Sequence, residues 1–149
     1  MPTTVVAWLL AKPVDMSVSA ELSKLIETFK FWDIIAQWSR ERLEHESIVA
    51  RALAHAVVRD GLPLWSVDPR WIQNKGVNME FRGQPFVGFR AQANAQLIVI
   101  RASSLQHLQS IVDAGVEPAR EPLSDEFIYR EDFRLWLTAK GLALPGFWY

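Results

Sequence analysis

Ser47-Ile48-Val49-Ala50-Arg51-Ala52-Leu53-Ala54-His55-Ala56-Val57-Val58-Arg59-Asp60-Gly61 is the stretch whose reading decides the fold. Ile48, Val49, Ala52, Leu53, Ala56 and Val57 recur at three- and four-residue steps, the spacing that lines one face of an α-helix. Gly61 stands where a left-handed residue ends a helix. A helix with one apolar stripe needs a neighbour to cover it. Upstream, Phe31, Ile34, Ile35 and Trp38 supply a second stripe. Asp33 either caps that helix or lies within a longer one carrying Leu22, Leu25, Ile26 and Phe29 from a cap at Ser17 or Ser19. The charged run Arg40 to Glu46 separates the two stripes.

Downstream of Gly61 the period changes. Leu62 to Val67 reads as a short strand stopped by Asp68-Pro69. Met79 and Phe81 alternate with polar residues, Arg82-Gly83-Gln84-Pro85 follows, and Phe86 to Arg90 resumes the extended pattern, which predicts a hairpin. Leu97 to Arg101 reads as a strand. Ser103 or Ser104 then caps a helix burying Leu105, Leu108, Ile111 and Val112 and ending at Gly115. An acidic, proline-containing connection, Val116 to Glu126, leads to an extended Phe127–Tyr129 and a helix over Glu131–Lys140, with Gly141 as its stop. At the other end, Thr3 to Ala11 reads as a buried strand closed by Pro13. The expected fold class is therefore α+β. A helical N-terminal half packs on a small sheet, and two C-terminal helices complete it. One domain spans 1–149, with a helical subregion 17–67 and a mixed α/β subregion 70–149.

Composition limits what such a domain can do. The chain has 149 residues, half of them apolar and 22% charged, which is ordinary for a globular protein. At this length about 68–70% of the unfolded chain's surface is buried on folding. There are no cysteines, which excludes a disulfide framework, thiolate zinc sites and a cysteine nucleophile. The apolar run Val5–Ala11 lacks the basic flank and small-residue cleavage site of a signal peptide. No apolar stretch reaches membrane-spanning length. These features predict a cytoplasmic protein without a membrane partner. The net charge of −1 argues against purely electrostatic nucleic-acid binding. Charge is nevertheless uneven. Arg70, Lys75, Arg82, Arg90 and Arg101 stand against Glu80 alone, whereas Arg120 and Arg130 lie among the acids from Asp113 to Asp132. Pairing within the fold is the simpler expectation.

Two surfaces stand out as candidates for function. A helix pair followed by a hairpin is the element order of a winged helix. Arg51, His55 and Arg59, with Ser47, would form a row along the second helix able to meet a major groove, while Arg82 and Arg90 in the hairpin would hold the phosphate backbone. The expected partner on this reading is double-stranded DNA, and the role regulatory. The alternative is a protein–protein adaptor or inhibitor, or a homodimer, using the aromatic tail Phe147-Trp148-Tyr149 and the acidic 116–126 connection. The chain carries seven tryptophans, and such a tail either docks on its own domain or meets a partner.

Signals for catalysis, metals or cofactors are weak. His45, His55 and His107 follow no metal-ligand spacing, and His45-Glu46 lacks the second histidine of a zinc-protease helix. Gly76, Gly83 and Gly88 read as turn glycines. Ser103, Ser104 and Ser110 lie near His107 without an identifiable oxyanion donor. Trp71, Lys75, Phe81, Arg82, Phe86, Phe89 and Arg90 interleave aromatic and basic groups as single-strand binders do, although alternate strand aromatics more often form core. No catalytic residue, metal or cofactor is assigned, and a non-enzymatic role is expected.

The segment Tyr129-Arg130-Glu131-Asp132-Phe133-Arg134-Leu135-Trp136-Leu137, followed by Gly141 and Pro145-Gly146-Phe147-Trp148, resembles the C-terminal end of a group of uncharacterised bacterial proteins associated with phages and integrative elements. Trp38, Ala52-Leu53-Ala54-His55-Ala56 and Asp60-Gly61-Leu62 are similar to the helical N-terminal part of the same group. The resemblance touches about a third of the chain, on motifs that are structural. It implies a bacterial or mobile-element setting and assigns no functional residue.

Overall fold

A computed structural model describes residues 26–67, 78–81, 84–90 and 97–149. The expected strand Thr3–Ala11, the helix start at Ser17 or Ser19 with Leu22 and Leu25, and the candidates Trp71, Lys75 and Arg82 lie outside the described residues. The protein is α+β. Its elements run β1 (Thr28–Lys30), α1 (Phe31–Arg42), α2 (Glu46–Asp60), β2 (Asn78–Phe81), β3 (Gln84–Arg90), β4 (Leu97–Arg101), α3 (Ala102–Ala114), β5 (Phe127–Tyr129) and α4 (Arg130–Lys140), with a 3₁₀ turn at Glu121–Leu123.

The helices are covered on their apolar faces by one another. Phe31, Ile34, Ile35 and Trp38 of α1 are buried, as their spacing predicts. In α2 the buried set is Val49, Ala50, Leu53, Ala54, Ala56 and Val57, while Ile48 and Ala52 are exposed. The expected stripe is thus shifted around the helix. α2 packs against both α1 and α3, so its buried arc extends to Ala50 and Ala54, which are small enough for a neighbouring helix to approach. Leu108 and Ile111 of α3 and Phe133 and Leu137 of α4 complete this core.

Two antiparallel sheets flank the helices. β3 pairs with β2 and β4 in antiparallel register, Phe81 opposite Gln84, the pairing expected of a hairpin. Pro85 sits within β3, opposite Glu80. The second sheet pairs β1 with β5, Phe29 opposite Ile128. Phe29 therefore belongs to a strand and not to the upstream helical stripe, because β5 offers its backbone a ladder that the helix cannot. Leu62–Val67 is not a regular strand; within it only Trp65 forms a bridge, with Phe127.

The elements meet at one buried carboxylate. Glu126 is fully buried and takes a two-pronged contact from Arg101 at the end of β4, Nε to Oε2 at 2.9 Å and Nη2 to Oε1 at 2.8 Å. Ser66 Oγ donates to Oε2 at 2.5 Å and accepts the Arg101 backbone N–H at 2.9 Å. The Glu126 backbone carbonyl accepts the N–H of Phe31, the first residue of α1, at 2.8 Å. One residue thus joins β4, the 65–66 segment, β5 and α1. Hydrogen bonding to Glu126 raises the Arg101 pKa, which keeps the guanidinium charged.

The C-terminal tail, expected either to dock or to meet a partner, docks. Trp148 is fully buried and Phe147 nearly so, which removes both from the set of partner-binding candidates. Trp148 Nε1 donates to the Ile26 carbonyl at 2.7 Å, and its ring meets Phe29 edge-on at 4.8 Å. The Glu41 carboxylate accepts the backbone N–H groups of Gly146 and Phe147 at 3.0 and 2.5 Å. Tyr149, half-buried, donates its hydroxyl to the Arg130 carbonyl at 2.6 Å beneath the Arg130 guanidinium. Burial pushes its phenol well above the ordinary range, so it stays a donor. The apolar tail takes its own domain as partner, because α1, β1 and α4 form a slot of matching chemistry.

Two stability outcomes follow from this architecture. Glu126→Ala leaves a mostly buried guanidinium without its counter-ion and should cost about 3–5 kcal/mol in urea unfolding; a loss under about 1 kcal/mol would contradict the role given to the pair. Trp148→Ala should likewise cost about 3–5 kcal/mol, and unchanged stability would show the tail to be peripheral.

Candidate functional site

The row expected along α2 is present but engaged. Arg51 donates through Nη1 to the carbonyls of Gly115 and Val116, both at 3.3 Å, and through Nη2 to Glu117 at 2.7 Å. Arg59 pairs with Asp113 at 3.1 Å. Both arginines are thus held at the C-terminal end of α3, where a cation satisfies the last carbonyls and the negative end of the helix dipole. The carboxylates of Asp113 and Glu117 sit beside the row and offset its charge. His55 is exposed. Arg90 is the last residue of β3, opposite Leu97, and Arg82 lies outside the described residues. The structure therefore gathers Arg51 and Arg59 on one side of α2 as a structural clasp with α3.

The same clasp recruits His107. Its Nε2 accepts the backbone N–H of Ala119 at 2.9 Å, which requires the neutral ring. Arg120 reaches Glu46 at 3.2 Å and lies over the Trp32 ring at 4.7 Å. Together these contacts fasten the acidic 115–120 connection to the helices. Of the acidic run, Glu126 pairs with Arg101 of the basic region, whereas Asp113, Glu117 and Asp125 pair with Arg59, Arg51 and Lys30 from outside that region. Among the described residues no group of three or more His, Asp and Glu gathers as a metal-ligand set, and no helix is long and apolar enough to cross a membrane.

A different face carries a concave surface that sequence reasoning did not single out. A depression of about 510 Å³ opens between the C-terminal end of α2 and α4, lined by Leu62, Pro63, Leu135, Trp136, Asp132 and Lys140 among others. A second, of about 290 Å³, continues past Trp136 and Lys140 to Trp38, Val49, Ala52 and Leu142. Trp136 and Lys140 line both, which makes one groove. At its saddle the Asp60 carboxylate accepts Trp136 Nε1 at 3.0 Å and pairs with Lys140 at 3.1 Å. Asp60 would otherwise oppose the dipole at the end of α2, and these two contacts offset that.

Of the groove's lining, Leu135 is 52% exposed and Leu142 38%. Elsewhere on the surface Ile48 is 55% and Leu43 92% exposed. Leu43 closes α1 with φ of +54°, a left-handed conformation that favours glycine or asparagine. Its neighbours Arg42 and Glu44 line the second depression. One signal in the sequence pointed here. Phe133 and Leu137, one turn apart, face the core, so the adjacent Leu135 must face away from it.

Comparison of the chain with protein-family models, with curated proteins and with solved structures finds no match.

The His107 contact has a titration signature. Burial lowers its pKa from the ordinary value. Stability from the Ala119 contact is thus present above pH of about 6.5 and lost as pH falls through the depressed folded value. An NMR titration should place the His107 midpoint below about 6.5; a midpoint above that would show that the ring is not held neutral.

Proposed function

We propose that the protein is an accessory factor that works by docking a protein partner in the groove between α2 and α4. The observation that carries this reading is a pair of adjoining depressions that share Trp136, with the exposed Leu135 and Leu142 in their lining. Binding surfaces concentrate their energy in such aromatic anchors surrounded by apolar contacts. Leu43 supports it further. A fully exposed leucine in a left-handed conformation does little for folding, so its apolar side chain has more to offer a partner than its own domain.

The adaptor role proposed from the aromatic tail is thereby kept and moved. Phe147 and Trp148 hold the domain together, and the exposed apolar surface lies on α4 and α2 instead. Duplex DNA binding has less support, since Asp113 and Glu117 flank Arg51 and Arg59 and would repel phosphates.

Selection of a random peptide library on the immobilised protein tests this reading. Enriched peptides should bind with Kd of about 1–100 μM and lose at least about tenfold in affinity to Leu135→Glu, a surface change that leaves circular dichroism unaltered. Peptides that bind this variant as tightly as the unaltered protein would place the docking surface elsewhere. Labelled random duplex DNA at about 50 mM salt should show no micromolar binding; affinity that falls steeply with salt would restore the DNA reading.

A further inference from the structure

The groove holds a carboxylate that has no ion-pair partner among the described residues. Three ionisable groups line its larger depression: Asp60, Asp132 and Lys140. Asp60 and Lys140 pair with each other, and Asp60 also accepts the Trp136 indole N–H. Asp132 stands apart: among the described residues it has no ion pair or side-chain hydrogen bond. The like charge of Glu131 acts on it, while Glu131 itself is engaged by Arg134. Burial against the groove wall favours the neutral form of the Asp132 carboxyl, and the Glu131 charge adds to this. The N-terminal end of the α4 dipole favours this carboxylate, but no cation among the described residues pairs with it. It gains most from a cation brought in from outside.

The geometry around it says what kind of cation. Asp132 and Trp136 are one helical turn apart on α4 and line the same depression, with Leu62, Pro63 and Leu135 beside them. A lysine or arginine side chain suits such a site in both its parts. Its hydrocarbon stem covers the apolar wall and the indole, and its charged head reaches the carboxylate at the edge. The volume of about 510 Å³ accommodates such a side chain with an apolar neighbour.

Resting on the docking role proposed above, we infer that the partner is a protein segment that places a lysine or arginine against Asp132 and an adjacent apolar side chain on Trp136 and Leu135. The site then discriminates partners by charge, not by apolar character alone, because a neutral segment covers the half-buried Asp132 and leaves it unpaired.

The library selection separates this inference from the reading it rests on. Peptides whose binding depends on Leu135 should carry a lysine or arginine beside apolar residues. Replacing that lysine with norleucine, or that arginine with citrulline, should weaken binding about tenfold. Asp132→Asn should bind the charged and neutral peptides alike, which the peptide-side change reads without relying on the variant alone. Leu135-dependent peptides with no basic preference, or a charged-over-neutral preference that survives Asp132→Asn, would overturn the inference and leave the docking groove standing. Absence of any Leu135-dependent peptide would overturn both.

Discussion

The buried pair of Arg101 and Glu126 is the constraint on which the rest of the structure depends. Glu126 ends an irregular connection, begins the approach to β5, and hands its backbone carbonyl to the first residue of α1. Its carboxylate is met by Arg101 from β4 and by Ser66 from the segment after α2. A buried charge is costly unless it is paired and fully hydrogen-bonded, and here the pairing is two-pronged with an added hydroxyl donor. Such a pair specifies which segments meet more than it adds net stability. The position of α1, and through it of Trp38 and the groove wall, follows from where Glu126 is held.

Two sides of α2 have opposite tasks in this arrangement. One side carries Arg51 and Arg59 and secures the end of α3 together with His107 and Arg120, so its charge is answered within the fold. The other carries Val49, Ala52 and the Asp60 terminus into the groove shared with α4. The arginines on the first side are paired, and on the second Ala52 stays exposed beside Trp136. That inversion of the usual expectation, in which charged faces bind and apolar faces pack, is why the functional reading moves from arginines to Trp136 and its neighbours.

Much of the fold was legible in the sequence because its signals are local. The periodicities of α1, α3 and α4, the alternation of β2 and β3, and the stops at Gly61, Gly115 and Gly141 each depend on neighbours a few residues away. What misled were contacts between distant segments. Phe29 reads as helical until Ile128 is known to lie opposite it. Ile48 and Ala52 belong to the apolar stripe by spacing, yet the positions of α1 and α3 decide that Ala50 and Ala54 are covered instead. The arginine row was correctly placed on one side of α2, but its acidic partners lie more than fifty residues away in sequence. The tail was recognised as apolar, while the slot that receives it is built from Ile26, Phe29, Glu41 and Arg130. The groove went unrecognised for the same reason: it exists only where α2 and α4 face each other.

The most direct test of the central claim is amide and indole chemical-shift mapping of the protein with a selected peptide bound. A docking groove between α2 and α4 predicts perturbations centred on the Trp136 indole, with Leu135, Lys140, Leu142 and Ala52 around it, and little change at Arg51, Arg59 or the 115–120 connection. Perturbations centred on the β2–β3–β4 sheet, or on the side of α2 that faces α3, would contradict the account.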